Sequence, residues 1–424
     1  MRILWFTNDP MPAVNKRLGK PVASGTGHWM PSLLDHLVES PDTEVEIATA
    51  YPGAKDDQFT DGCVRYFVIG QPKRPGIFFD CRPGDLSACA ALVRERAPDI
   101  VHIHGTERFY GLLAARKLIQ APCVISIQGL LGACRDAFFG SLSAGAIWKA
   151  NRLLELATRR GLIWLYLDYA RAARHEHEIL SGAKSFMGRT DWDRAHLKSV
   201  NPSASYYHTG ELLRSVFMQN RWNLQECQRR TILFTKFGRA PYRGTELLLK
   251  AMLIVRRQFP DVKLRLVDHV NTRRGYDRFL YRTICDSELQ KNVEVLGYLD
   301  APSLATELCR THVFTITSYV ENSPNSLCEA MQVGVPCVAT YAGGIPSLIE
   351  HRRTGLLVPK GDAQVLADSV MNVFRNDELA MRLSRAARNE ALERHAPQRV
   401  LSQAMNTYND VIANGQLVSR LVAV

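Results

Sequence analysis

At 424 residues the chain exceeds what one ordinary hydrophobic core organises and fits two domains of about 200 residues each. An apolar content of 46% with 22% charged residues places it among globular proteins and away from disordered or fibrous chains. The net charge of +11 draws anions such as phosphorylated ligands, acidic headgroups or nucleic acid, without choosing among them.

The ten cysteines are scattered, with no C-x-x-C pair, and several sit in apolar patterns. That is how free thiols of a reducing compartment look, rather than a disulfide framework or a zinc site. The apolar run at the N-terminus is too short for a signal peptide. No stretch approaches the roughly 18 apolar residues of a membrane span, so a cytoplasmic protein is expected.

Ile3 to Phe6 reads as a buried first strand, ending at Asn8-Asp9-Pro10. A glycine-containing loop with Gly25 and Gly27 leads into a helical pattern at Leu33, Leu34, Leu37 and Val38. The loop is a phosphate or sugar site, where glycines let a ligand approach the backbone, or a plain connector. It is not a dinucleotide fingerprint. Short strands are expected over 45–50 and 64–68, a helix over 88–96, and a strand over 100–104. His102 and His104 share one face of that strand, which leaves open a metal pair or delivery of His104 to the ligand crevice of an α/β sheet.

A helix over 109–119 precedes a strand that ends at Gln128-Gly129. Residues 147–180 are helix-prone, basic and aromatic, with Trp148, Lys149, Arg152, Arg159, Arg160 and Arg174. Such a stretch lies on an anionic membrane or packs with a solvated basic face. Arg189, at the next strand end, is either a phosphate contact or half of a structural ion pair. Thr190 or Asp191 caps the following helix.

The second half restarts at a buried strand over 231–235, followed by a loop carrying Lys236, Arg239 and Arg243. The helix over 245–259 has an apolar stripe at Leu247, Leu248, Ala251, Met252 and Val255. Further strands are expected over 263–267, 293–299 and 313–318, with a turn at Gly297-Tyr298. Glu321 and Glu329 then flank the polar loop of Asn322, Ser323, Pro324, Asn325 and Ser326, where Ser or Asn caps a helix that ends at Gly334. A helix start there suits a phosphate or a hydroxyl. Taken alone, the two carboxylates are either solvated surface or ligand-holding groups.

The ordered series is more specific. Glu321 and Glu329 stand as E-x7-E, followed by the EAM-x-x-G-x-P pattern from Glu329 to Pro336, Gly343-Gly344-Ile345-Pro346, and TGLLV over 354–358. It resembles the donor-site signature of retaining glycosyltransferases of the family 4 type (glycosyl transferases group 1). The resemblance implies the α/β GT-B fold, two doubly wound Rossmann-like domains facing each other across a cleft. The expected boundaries are an acceptor-side domain at 1–210, a linker at 211–230, a donor domain at 231–396, and a helix at 397–424 bracing the first domain.

By that resemblance a sugar passes from a nucleotide-diphosphate donor to the hydroxyl of a glycan or lipid-linked acceptor, with retention. Arg243 with Lys236 or Arg239 holds the diphosphate, and Glu329 holds the ribose. Glu321 with the backbone through Asn325, Ser326 and Leu327 holds the sugar, and Gly297 and Tyr298 meet the base. Gly25, Gly27, His104, Gln128 and Arg189 line the acceptor side. No cofactor and no metal are implied, since cationic side chains replace the metal; Asp191-Trp192-Asp193 has the letters of a metal motif at a helix start. The expected partners are a nucleotide sugar, the acceptor and the inner face of an anionic membrane, with no nucleic acid.

Departures from the commonest family pattern are Gln128 where histidine is usual, Thr209-Gly210 in place of Asn-Gly, Arg243 in place of lysine, and Asp268-His269 in place of a Gly-rich turn. The competing readings are a sugar-nucleotide epimerase of the same fold, a non-catalytic nucleotide-sugar-binding protein, and a nucleic-acid binder.

Overall fold

The computed structural model describes residues 1–20, 29–72, 81–151, 155, 157–158, 161–238, 240–268, 270–273 and 275–422. Its residues fall into two compact units. The first comprises residues 1–132, 168–212 and 394–424; the second comprises 133–167 and 213–393.

The first unit is built on β1 (Arg2–Thr7), β2 (Glu44–Pro52), β3 (Asp57–Asp61), β4 (Val64–Gln71), β5 (Ile100–His104), β6 (Cys123–Ser126), β7 (Ser185–Gly188) and β8 (Ser205–His208). They form one sheet in the order β3-β4-β2-β1-β5-β6-β7-β8, parallel except for the β3–β4 hairpin. β1 and β5 are buried almost along their whole length, as expected for strands covered on both faces. After β1 the chain builds outward through β2, then returns with β5 on the other side of β1. That reversal makes a crevice at the carboxyl ends of β1 and β5.

The helix Pro397–Val422 places Val400, Ala404, Tyr408 and Val411 in the core of this unit, beside Ile3, Trp5, Ile100 and Val124. The spacing of those four residues follows one face of an α-helix. Tyr408 Oη stands 2.7 Å from His102 Nδ1, and His102 Nε2 stands 2.7 Å from Ser126 Oγ.

The second unit carries β9 (Gln228–Phe234), β10 (Lys263–Val267), β11 (Val293–Gly297), β12 (Thr311–Ile316), β13 (Cys337–Thr340) and β14 (Leu356–Val358). The order is β11-β10-β9-β12-β13-β14, with every pair parallel. Here the reversal falls between β9 and β12, so the crevice forms from the loops that follow those two strands.

Residues 133–167 belong to the second unit, where the sequence led us to expect part of the first. Aromatic packing accounts for it: Phe138 meets Tyr242 and Tyr166, and Phe139 meets Tyr166. Ser141 Oγ hydrogen-bonds Tyr319 Oη at 2.6 Å, and Arg278 donates to the Lys149 carbonyl. Among the described residues the basic stretch carries the helices Ala144–Ala150 and Leu162–Gly182. Arg152, Arg159 and Arg160 lie outside the described residues. No described helix is long and apolar enough to cross a membrane.

Candidate functional site

In the second unit the loops after β9 and β12 are locked together by backbone contacts that require glycine. Gly244 has φ +74°, and a Cβ there would lie 1.9 Å from the Thr317 carbonyl oxygen. Thr317 Oγ1 donates to the Gly244 carbonyl at 2.8 Å, and Tyr319 N donates to the Tyr242 carbonyl at 2.7 Å. Gly343 has φ +54° and passes so close to Glu321 that a Cβ would lie 1.9 Å from its carbonyl oxygen. Gly344 N donates to that same carbonyl at 2.8 Å. The double glycine thus fixes the backbone of Glu321.

Three donors converge on Glu321 Oε1: Lys236 Nζ at 2.6 Å, Arg243 Nη1 at 2.9 Å and Ser318 Oγ at 2.9 Å. Burial alone would push this carboxyl up, but the two cations and the hydrogen bonds outweigh it and hold it at about 2. Burial pulls the Lys236 ammonium down to about 8, against the attraction of Glu321. Two cations thus share one carboxylate oxygen at the carboxyl end of the sheet. Among the described residues no donor reaches Glu321 Oε2. Arg239 lies outside the described residues.

The helix Asn325–Val333 starts beside this cluster, with Pro324 at its N-cap and no side-chain cap. The Ser or Asn cap expected from sequence is therefore absent. The Ser326 hydroxyl is buried without a hydrogen-bond partner, and Asn325 makes no capping bond. Leu327 N is turned back onto the Pro324 carbonyl at 2.9 Å. The terminus keeps unpaired donors, the condition for holding an anion or a hydroxyl.

Glu329 is buried inside the same helix and takes two bonds from Arg214 on Oε1, from Nη2 at 2.7 Å and Nε at 3.1 Å. Burial outweighs the Arg214 charge and pushes the carboxyl up to about 7. Among the described residues no donor reaches its Oε2. Gly297 closes β11 at φ +73°, and the half-exposed Tyr298 that follows lies within electrostatic reach of Arg214 and Glu329. Burial raises its phenol.

The residues assigned to the acceptor side lie in the first unit. His104 is 1% exposed and packs on Trp5, Trp29 and His102, with ring centroids 4.4, 5.0 and 3.8 Å away. It is a buried residue with three rings closing over the imidazole. Burial lowers the His102 pKa to about 3, and its ring nitrogens are engaged by Tyr408 and Ser126. Among the described residues no group of three His, Cys, Asp or Glu could hold a metal ion.

Arg189 is an ion-pair residue: Nη2 pairs with the buried Glu211 carboxylate and donates to Gln128 Oε1 at 2.6 Å, and the guanidinium lies over the Trp29 ring. Gln128 thus anchors an arginine. Thr190 caps the next helix, with Asp193 completing a capping box and accepting from Tyr206 Oη at 2.6 Å. The Asp191–Asp193 letters therefore mark a helix start. Gly25 and Gly27 lie outside the described residues.

Comparison with known proteins places the second unit. Residues 220–390 match the family described as glycosyl transferases group 1. This unit is a group 1 glycosyltransferase domain. The chain is 32% identical over 124 residues to the N-acetyl-alpha-D-glucosaminyl L-malate synthase of Bacillus anthracis, covering 29% of the chain and 32% of that protein. Matches to the first curated relatives span between about a third and a half of their length.

The two-unit α/β architecture is that of solved GT-B glycosyltransferases. The sucrose-phosphate synthase of Thermosynechococcus elongatus superposes with a TM-score of 0.73 at 17% identity, over 98% of this chain and 100% of that one. Anabaena HepE, solved in complex with UDP and glucose, superposes with a TM-score of 0.64 at 16% identity, over 97% and 100%. In the second unit Arg214, which precedes the matched residues, is the partner of Glu329 that sequence reasoning missed. It lies in the stretch read as a linker, and its only signal there was a lone arginine before the short helix Ser215–Gln219.

Proposed function

We propose that the protein is a retaining glycosyltransferase that moves a sugar from a nucleotide-diphosphate donor to an acceptor hydroxyl. The observation that carries the reading is the convergence of Lys236 and Arg243 on Glu321, beside a helix terminus with unpaired donors. A donor diphosphate brings negative charge to a crevice where two cations converge. Lys236 and Arg243 stabilise the charge that grows on the leaving diphosphate as the bond to the sugar breaks.

Glu321 Oε2 and the loop backbone through Leu327 hold sugar hydroxyls. Glu329 Oε2 accepts from the ribose, with Arg214 favouring the ionised form of its carboxylate against the effect of burial. Gly297 and Tyr298 offer backbone and ring to the base. The leaving phosphate oxygen takes the acceptor proton, so catalysis rests on positioning and on leaving-group stabilisation. The two side-chain cations do what a divalent metal does in other transferases, and the reading is metal-independent.

The relatives favour an acceptor in polysaccharide or glycolipid synthesis; they include an amylovoran biosynthesis glycosyltransferase of Erwinia amylovora and a phosphatidyl-myo-inositol mannosyltransferase of Mycobacterium leprae. The test is nucleotide release from a panel of UDP-, GDP- and ADP-sugars, with and without EDTA. One donor class should be turned over in both conditions, and Glu329→Ala should weaken it. Turnover of none of them, with Glu329→Ala indistinguishable from wild type, would sink the reading.

A further inference from the structure

In the first unit the crevice at the carboxyl ends of β1 and β5 holds a carboxylate that nothing above uses. Glu107 follows β5 by three residues and is partly exposed. Asn8, which follows β1, donates from Nδ2 to Glu107 Oε2 at 2.7 Å. Gly105 permits that pair: it has φ +110°, and a Cβ there would lie 2.1 Å from Asn8 Nδ2 and 2.2 Å from Glu107 Oε2. One carboxylate oxygen is therefore fixed by the fold, and among the described residues no other residue donates to Oε1.

Beyond Oε1 lies the loop after β6. Around Gly129, its two chain neighbours aside, a Cβ would find Glu107 Oε1 at 3.8 Å and no other described atom within 4 Å. Among the described residues the space over this backbone is thus open, with Glu107 Oε1 at its edge. Burial pushes the Glu107 carboxyl up to about 7, in keeping with a group drawn out of bulk water. Glu176 and Asp9 add negative potential, whereas of the nearby cations Arg189 is paired with Glu211 and Arg108 lies within electrostatic reach of both Asp9 and Glu107. An anionic group is repelled here, and a neutral hydroxyl is welcome.

We propose that Glu107 and Gly129 seat the acceptor: a sugar hydroxyl donates to Glu107 Oε1 while the ring lies against the bare backbone of Gly129. The acceptor's reacting end is then a neutral polyol and not a phosphate or a carboxylate. This deepens the glycosyltransferase reading and rests on it.

The experiment uses the full chain and ligand-observed NMR, with the methyl α-pyranosides of glucose, galactose and mannose as probes and inorganic phosphate as the anionic comparison. Nucleoside diphosphates are titrated in parallel. Gly129→Ala adds one methyl at an ordinary contact distance, in a backbone conformation any residue adopts, and Glu107→Ala removes the acceptor oxygen. At least one glycoside should bind the wild type and weaken about tenfold in each variant, the scale of one hydrogen bond to a charged group, with nucleotide affinity unchanged.

Glycoside binding equal in wild type and both variants would overturn the proposal. So would a wild type that binds none of the glycosides, or one whose glycoside is displaced by phosphate. Loss of nucleotide binding with glycoside binding intact would instead count against the donor reading alone.

Discussion

Replacing Glu321 by glutamine keeps the shape of the side chain and removes the charge that two cations share. A carboxyl held at about 2 where an ordinary one titrates near 4.5 favours its ionised form by ~3 kcal/mol, at about 1.4 kcal/mol per pH unit. The substitution also leaves the Lys236 ammonium buried without its counter-charge, and breaking such a pair costs about 3–5 kcal/mol. We therefore expect Glu321→Gln to destabilise the second unit by about 3 kcal/mol at pH 7.

The sign with pH follows from the depressed carboxyl. Its stabilisation is complete above the ordinary carboxylate range and fades as pH falls from about 4.5 towards about 2, so the gap between variant and wild type should close over that interval. Urea unfolding followed at pH 7 and at stepwise lower pH reads both. Inorganic pyrophosphate, an anion that can take the carboxylate's place between Lys236 and Arg243, should stabilise Glu321→Gln more than wild type. A variant as stable as wild type at pH 7, or one insensitive to pyrophosphate, would refute the reasoning.

Three further outcomes are expected. Gly343→Ala forces a methyl onto the Glu321 carbonyl at φ +54°, so donor affinity should fall at least tenfold while circular dichroism keeps its shape. Glu329 is raised to about 7, so its stability contribution is present below the ordinary range and lost as pH rises through 7. A ribose hydroxyl prefers the ionised form, so donor affinity should rise over the same interval, and Glu329→Gln should flatten that titration. Tyr408→Phe removes the partner of His102 Nδ1 from the core of the first unit and should cost about 1 kcal/mol in denaturant unfolding, with nucleotide binding intact.

Much of the second unit was legible because its signature is made of local necessities. Gly343 and Gly244 are places where only glycine lets two backbones touch, and Glu321 and Glu329 mark the loop and helix between them. The strands announced themselves as apolar runs. What could not be read depends on contacts distant in sequence. Arg214 reaches Glu329 across 115 positions, and no local pattern marks it. Residues 133–167 fold with the second unit because Phe138, Phe139 and Ser141 meet Tyr166, Tyr242 and Tyr319, a choice made by packing.

The first unit was harder for the same reason. His104 and Arg189 have side chains that could serve a ligand, yet Trp5 and Trp29 enclose one and Glu211 with Gln128 holds the other. Pro324 at the N-cap shows the converse: the sequence offered Asn and Ser as caps, and the helix terminus is left uncapped.

The central claim is that Lys236 and Arg243 hold a donor diphosphate, and calorimetric titration tests it most directly. The nucleoside diphosphate of the preferred donor and its parent nucleoside are titrated into wild type and into the Lys236→Ala/Arg243→Ala double variant. The account predicts that wild type prefers the diphosphate by at least tenfold and that the double variant loses that preference while still binding the nucleoside. Equal affinity of wild type for nucleoside and diphosphate, or an undiminished preference in the double variant, would contradict it.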